Sequence, residues 1–369
     1  EPPQIGLLLT LTLLGDAAIS LALSSRADRW GRRRTLWLGA LLMFLGGLGI
    51  AATGNFLLLV IAATIGVISP SGSEVGPFLA VEQACLAQVV RDRDRTRLFA
   101  WYNVAGYLAT AAGALVAGAL SSTLQAGGWS PLASYRVLLV GYASIGLGLG
   151  VLAGRLGAEI EAPPQASARA GPHLLGLRES RGLVAKLSAL FALDAFAGGF
   201  ILQSVLAWWF HERFAASDAA LGALFFGTNL LSGLSALAAV PIARRIGLVN
   251  TMVWTHLPSN LLLLLVPLMP TFGLAVTVLL LRHALSQMDV PTRQSYVNAM
   301  VVPGERAAAN GVTGTVRQLA AALAPLLAGP LFSVATWAAA PFYVCGGLKV
   351  IYDLALWRAF RTTKPPEER

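Results

Sequence analysis

The chain has 369 residues, of which 56% are hydrophobic and only 12% are charged, and its mean hydropathy is +0.67. A soluble domain usually carries about 25% charged residues, so this composition excludes an ordinary soluble globular protein. The formal net charge of +9 would suit a nucleic-acid-binding protein. The basic residues are spread over many short segments between apolar ones, however, and this pattern argues against that class.

Eleven apolar segments follow one another along the chain. Each is long enough for a helix to cross the hydrocarbon core of a bilayer, which takes about 20 residues. Because backbone polar groups must be paired in lipid, the repeated apolar segments predict an all-α integral membrane protein. The predicted segments are 5–25, 35–54, 57–90, 96–121, 135–155, 186–212, 219–241, 250–270, 272–302, 307–334 and 338–360.

A polar segment rich in proline, alanine and serine separates the fifth apolar segment from the sixth. We predict that residues 157–185 form a linker between an N-terminal transmembrane bundle, residues 1–156, and a C-terminal bundle, residues 186–369. Lys and Arg are concentrated at one end of the predicted helices, in the linker and in the C-terminal tail. By the positive-inside rule, the linker and C-terminus are predicted to be cytoplasmic, in an inner (plasma) membrane.

The two halves of the chain are similar in sequence. Residues 27–31 (Ala-Asp-Arg-Trp-Gly) align with residues 243–247 (Ala-Arg-Arg-Ile-Gly), and residues 113–118 align with 324–329 at nearly the same spacing. Related halves are an architecture of transporters, with the solute site near the midplane between them. The segment 186–212 has no counterpart in the first half. We therefore expect that a first helix is missing and that eleven of twelve transmembrane helices are present.

The loop after the first segment carries a recognisable motif. It reads Ser24-Ser-Arg-Ala-Asp28-Arg29-Trp-Gly31-Arg32-Arg33-Arg34. This resembles the loop signature Gly-x-x-x-Asp-Arg-x-Gly-Arg-Arg of the major facilitator superfamily, and the resemblance covers essentially the whole chain. The sequence departs from the signature at Ser24, and from its second copy at Arg244, where an acid is expected.

The resemblance implies two pseudo-symmetric helical bundles and a secondary active transporter, similar to the bacterial efflux-type permeases. It also implies that Asp28 docks against the start of the eleventh helix, near Glu305, and that Gly31 allows the tight turn. The conformational loop would then comprise Asp28, Arg29, Gly31, Arg32 and Arg33. The antiporter motif of the fifth helix is degraded at residues 113–118, so the resemblance to drug exporters is partial.

Ionisable residues inside membrane segments are costly, and they usually face a cavity or a partner. Asp16 and Asp194 are candidate proton carriers, and Glu82 is predicted to approach Arg293 at a gate or solute site. Lys349 and Asp353, four residues apart, suit a local ion pair. The predicted substrate and proton cavity comprises Asp16, Glu74, Glu82, Gln83, Asp194, Asp289, Arg293, Gln294 and Arg317.

These features predict a transporter that moves a small solute by alternating access, with proton-coupled efflux favoured. The alternatives are a solute uptake symporter and a transporter-like receptor or scaffold without flux. A zwitterionic or anionic solute is as reasonable as a lipophilic cation.

No enzyme motif, cofactor or metal site is expected, because paired-His, Gly-x-Ser-x-Gly and phosphate-loop patterns are absent. The expected partners are a small solute, protons and the lipid bilayer, with no nucleic acid, and the protein is expected to be a monomer.

Overall fold

A computed structural model of the protein describes residues 2–68, 70, 77–89, 92–161, 177, 179–302, 305–332 and 337–363. Glu74 and the side chain of Asp28, two of the predicted functional groups, lie outside the described part. The regular structure of the described part is helical. Its α-helices are α1 Pro2–Trp30, α2 Arg32–Ala52, α3 Phe56–Ile65, α4 Pro77–Val89, α5 Asp92–Ala126, α6 Pro131–Arg155, α7 Arg181–Gly199, α8 Gln203–Phe214, α9 Asp218–Ile246, α10 Leu248–Leu265, α11 Phe272–Ser286, α12 Asp289–Met300, α13 Arg306–Phe332 and α14 Ala340–Phe360.

The described residues of all eleven predicted segments fall largely on these helices, and three of the segments fall on two helices each. Segment 186–212 covers α7 and α8, which meet at a short break near Phe200, and segment 272–302 covers α11 and α12. Within the described part, eight helices are long and apolar enough to cross a membrane by length and composition. The all-α membrane fold predicted from the sequence is therefore confirmed. Helix α7 begins at Arg181, inside the last part of the predicted linker.

The chain divides into two compact units. The N-terminal unit comprises residues 7–106 and 116–172, and the C-terminal unit comprises residues 1–6, 107–115 and 173–369. In the N-terminal unit α2 packs along α6. A Cβ atom added at Gly146 would lie 3.0 Å from the backbone nitrogen of Phe44, so the small residue allows the close approach of the two helices.

In the C-terminal unit α7 packs along α13, and again a glycine lies at the contact. A Cβ atom at Gly199 would overlap the carbonyl oxygen of Ala321 and lie 2.8 Å from the Cβ of Ala324. The side chains that α7 and α13 present to each other therefore come within hydrogen-bonding distance. This close contact positions the charged side chains described below.

The aligned residues Gly31 and Gly247 share a backbone conformation. Gly31 separates α1 from α2 with φ +102°, and Gly247 separates α9 from α10 with φ +85°. Residues with a Cβ rarely adopt these positive φ values, so glycine is favoured at both sharp turns. The turn between two helices is thus repeated in the two halves of the chain, as the sequence alignment of residues 27–31 with 243–247 suggests.

Candidate transport site

Asp194 lies within the apolar span Arg181–Phe214 and is 4% exposed. A carboxylate in this position requires compensation, because removing an unpaired charge from water is very costly. The sequence around it, Asp194-Ala-Phe-Ala-Gly-Gly-Phe200, places small residues on the following helical turn. The side chain of Lys349 lies beside Gly198, with its Nζ atom 3.8 Å from the position of an added Cβ. The glycine therefore leaves room for a long cationic side chain to reach Asp194.

Three cations from three helices surround the Asp194 carboxylate. Lys349 of α14 donates to Asp194 Oδ1 at 2.5 Å, and Arg317 of α13 donates to Oδ2 at 3.1 Å. Arg293 of α12 lies 3.6 Å from the same Oδ2 atom, and it donates to Asp289 Oδ2 at 2.8 Å. We call these five residues the Asp194 cluster. Their side chains are at most 10% exposed, except that of Arg317, which is 28% exposed.

The start of α12 supplies the second carboxylate of this cluster. Asp289 is in the first turn of that helix, where the helix dipole stabilises a negative charge. Four residues later, Arg293 pairs with it and places its guanidinium 5.3 Å from the ring centroid of Phe191. Such cation–π contacts gain strength when they are shielded from water. The position of Arg293 is therefore fixed by two carboxylates and one aromatic ring.

Four of the predicted cavity residues, Asp194, Asp289, Arg293 and Arg317, come together in the Asp194 cluster. The expected local pair between Lys349 and Asp353 is wrong, because Lys349 binds Asp194 instead. Spacing of four residues allows an ion pair on an isolated helix. In the folded protein, Lys349 instead pairs with the buried carboxylate of a neighbouring helix, because a buried charge needs a close partner. Lys349 is the member of the cluster that was not among the predicted cavity residues, although its place in an apolar segment had marked it as a costly charge.

Asp353 belongs to a second buried polar group, between α10 and α14. His256 Nδ1 lies 2.9 Å from Asp353 Oδ1, and Asn260 Nδ2 donates to Oδ2 at 2.8 Å. Asp353 and Asn260 are 0% exposed, and His256 is 3% exposed. The two carboxylate oxygens are thus satisfied by two residues one helical turn apart on α10. This network fixes α14, and with it Lys349, against α10.

In the N-terminal unit, Glu82 is half-buried and accepts a hydrogen bond from Tyr102 Oη at 2.5 Å. Gln83 beside it is also half-buried, and Asp16 of α1 is buried at 5% exposure. Glu82 and Tyr102 line a cavity of about 470 Å³. The other lining residues are Leu36, Phe78, Cys85, Leu86, Val89, Leu149, Leu152, Ala153, Leu156 and Ile160.

Gln294 is exposed and is next to Arg293 in the sequence, and it makes none of the hydrogen bonds of the Asp194 cluster. The expected approach of Glu82 to Arg293 joins residues of the two separate units, and it stays a prediction.

The conformational loop is held by a residue that the sequence analysis missed. Glu161 accepts from the backbone N–H of Arg32 at 2.7 Å and from that of Arg33 at 3.3 Å, at the start of α2. The Arg32 side chain is 8% exposed and donates to the carbonyl of Ile160 at 3.1 Å. Arg29 is exposed. A carboxylate at a helix N-terminus satisfies orphan backbone donors, so Glu161 stabilises the turn at Gly31.

Glu305, which the resemblance placed at the docking end of the eleventh helix, has a similar role. Its carboxylate accepts from the backbone N–H groups of Glu179 and Ser180, both at 3.0 Å, immediately before α7 begins. Glu305 is 8% exposed. In each unit an acidic side chain of the described residues thus binds backbone N–H groups at, or immediately before, the start of a helix.

Comparison with known proteins agrees with this architecture. The family model for the Major Facilitator Superfamily matches residues 1–208 and 187–369. An uncharacterized membrane protein of Saccharomyces cerevisiae is 29% identical over 96% of this chain and 85% of its own length. The xylose transporter XylE from E. coli, in a partially occluded inward-open conformation, shares the fold with a TM-score of 0.75 at 15% identity, covering 100% of this chain and 89% of XylE.

A structure of a D-xylose–proton symporter also shares the fold. Its TM-score is 0.70 at 14% identity, and the match covers 97% of this chain and 87% of the symporter. At these identities the two structural matches establish the fold alone. The family match spans both halves of the chain, as the loop motif and the repeat predict. The chain therefore belongs to the major facilitator superfamily, and it is a multi-pass membrane protein with the fold of secondary solute transporters.

Proposed function

We propose that this protein couples the movement of a small solute to protons through the Asp194 cluster. The observation that carries the proposal is the contact of one buried carboxylate with cations from three helices. The three cations disfavour the protonated carboxyl, so proton binding and these contacts oppose each other. A proton on Asp194 would remove the charge that holds Lys349, Arg317 and Arg293 together. Protonation of one side chain would then loosen the contacts of α7 with α12, α13 and α14 at once.

The same contacts favour a direction of coupling. When Asp194 is charged it shares the guanidinium of Arg317 with a bound solute, and when it is protonated the whole guanidinium becomes available to the solute. Proton binding and solute binding then support each other, and by linkage each raises the affinity for the other to the same degree. A carrier of this kind moves both in the same direction, which is the symport alternative of the sequence analysis. The similarity of the fold to a D-xylose–proton symporter is consistent with this mode.

Proton-coupled efflux, the mode that the sequence analysis favours, requires proton and solute to compete for one group. Glu82 supplies a half-buried carboxylate for such competition, and Tyr102 is its hydrogen-bond donor. This is the second candidate function. The two modes give opposite proton movements, so one experiment separates them.

The test uses the purified full-length protein in liposomes that contain the pH dye pyranine. Succinate, xylose or benzylamine is added outside at equal internal and external pH, and protein-free liposomes correct for passive permeation. Symport acidifies the lumen as solute enters, whereas antiport makes it alkaline. If none of a broad set of solutes moves protons beyond the protein-free rate, the coupling proposal is wrong, and the receptor or scaffold alternative gains support.

The variant Asp194→Asn provides the residue-specific test. It resembles the protonated carboxyl, so solute exchange should continue while proton movement coupled to solute is lost. Glu212→Gln, an exposed carboxylate at the end of α8, is the matched control and should remain coupled. Normal coupling in Asp194→Asn would exclude Asp194 as the proton site.

We further propose a monomer in a plasma (inner) membrane, with the linker 157–185 and the C-terminus in the cytoplasm. The excess of Lys and Arg at one end of the predicted helices supports this orientation. A reporter fused after Arg369, active only in the cytoplasm, should be active in cells. An inactive fusion in a protein that still inserts would reverse the orientation.

A further inference from the structure

Arg317 differs from the other cations of the Asp194 cluster in its exposure. Its side chain is 28% exposed, whereas those of Arg293 and Lys349 are 9% and 10% exposed. A guanidinium has five N–H donors in a fixed planar fork. Among the described residues, its hydrogen-bond acceptor is Asp194 Oδ2. Arg317 therefore has donors left over on an open side.

Arg317 lies on a different face of α13 from most of the exposed leucines of that helix. Helix α13 exposes four leucines within its apolar span. By helical geometry three of them lie about 120–180° around the axis from Arg317, and the fourth, Leu327, lies about 80° from it. These residues are Leu319, Leu323, Leu326 and Leu327. Arg317 instead shares a face with Ala324, which packs on Gly199 of α7. A charge at membrane depth on the inner face of a helix lies next to water or a polar partner.

The charges around Arg317 are unbalanced. Three cations of the Asp194 cluster share two carboxylates, Asp194 and Asp289, which leaves one positive charge in excess. Arg282 of α11, Asp353 of α14 and His256 also interact electrostatically with Asp194. Arg282 and Asp353 add one charge of each sign, and His256 adds a positive charge only when it is protonated. The excess therefore persists when the next neighbours are included. In a medium of low dielectric constant this excess repels cations and attracts anions.

We propose that the solute is an organic anion, with a carboxylate or phosphate group that binds the open side of the Arg317 guanidinium. This inference rests on the transport function proposed above, and it names the class of solute. The planar fork of arginine matches the two oxygens of a carboxylate or phosphate in a bidentate contact. The bound anion would also neutralise the excess charge of the Asp194 cluster. Of the solute classes left open by the sequence, the arrangement selects the anionic one.

The test measures binding without any proton gradient, so that it is independent of the coupling proposal. The full-length protein in detergent is heated with each of three anions, benzoate, succinate and glucose 6-phosphate. Each is compared with its uncharged analogue, benzamide, succinamide or glucose, and benzylamine serves as the cationic probe. A ligand that binds the native state raises the apparent melting temperature in a concentration-dependent way.

We expect at least one anion to stabilise the protein while its uncharged analogue and benzylamine do not. Equal stabilisation by anion and analogue, stabilisation by benzylamine alone, or no stabilisation by any anion would each overturn the proposal. If anions bind but no protons move in liposomes, the solute class stands and the coupling proposal fails. If protons move with an uncharged or cationic solute, coupling stands and the anion proposal fails.

Variants of Arg317 assign the site. Arg317→Gln should weaken the binding of the stabilising anion by roughly 10–100-fold, as expected for loss of hydrogen bonds to a charged group. Arg317→Lys keeps the charge but loses the fork, so it should bind more weakly than the native protein and more tightly than Arg317→Gln. Arg244→Gln removes an exposed arginine at the end of α9 and should bind as the native protein does. Unchanged binding in Arg317→Lys and Arg317→Gln would place the anion elsewhere.

Discussion

Replacing Asp194 with asparagine should destabilise the protein more than any single neutralisation of one of its cations. The carboxylate contacts Lys349, Arg317 and Arg293 at 2.5, 3.1 and 3.6 Å. After the change, Asp289 remains the acidic partner in the Asp194 cluster, and it already pairs with Arg293. Lys349, which is 10% exposed, would be left in apolar surroundings without a countercharge.

The size of the effect follows from the burial of the pair. Breaking a buried ion pair by removing one partner costs about 3–5 kcal/mol, because the other charge stays buried. Arg317 is partly exposed and can turn its charge to water, so we expect a loss near the lower end of this range. Lys349→Met should cost less than Asp194→Asn, since Asp194 keeps two arginines. The double variant Asp194→Asn/Lys349→Met keeps the excess at one positive charge and should be more stable than Asp194→Asn alone.

The assay is reversible unfolding by SDS in mixed micelles, followed by tryptophan fluorescence. The free energy of unfolding is compared for the native protein, the two single variants and the double variant. Glu212→Gln, which changes an exposed carboxylate, should lie within about 0.5 kcal/mol of the native protein. The reasoning is refuted if Asp194→Asn is as stable as this control, or if the double variant is no more stable than Asp194→Asn.

Three further predictions use the same unfolding assay. Gly199→Ala should destabilise the contact of α7 with α13. Gly347→Ala, where an added Cβ meets nothing within 4 Å, should instead stabilise α14 by roughly 0.5–1 kcal/mol. A higher free energy of unfolding for both variants would contradict the close approach of α7 to α13. His256→Phe leaves the fully buried carboxylate of Asp353 with Asn260 as its remaining side-chain partner. Loss of the hydrogen bond to this carboxylate should cost about 1.5–3 kcal/mol, and a loss below about 1 kcal/mol would mean that the network contributes little. Glu161→Gln weakens the cap at the start of α2 and should lower the free energy of unfolding by about 1–2 kcal/mol. An unchanged free energy of unfolding would show that the cap does not stabilise the protein.

The sequence by itself determined the membrane class, the helices and the family. Hydropathy is a local property, and the need to pair every backbone polar group in lipid converts each apolar segment into helix. For this reason the predicted segments fall on helices, and the aligned glycines Gly31 and Gly247 mark equivalent turns. The same reasoning identified the costly residues: Asp194, Asp289 and Arg293 stand out because ionisable groups are rare in apolar segments.

The tertiary structure alone decided which of these charges meet. Spacing along one helix suggested that Lys349 pairs with Asp353, yet Lys349 binds Asp194 of α7 and Asp353 binds His256 of α10. Such pairings depend on how closely helices approach and rotate, and the approach of α7 to α13 depends on one glycine, Gly199. A local pattern carries no information on these distances between helices. The excess positive charge beside Arg317, from which the solute class is inferred, could therefore be recognised only after the helices were assembled.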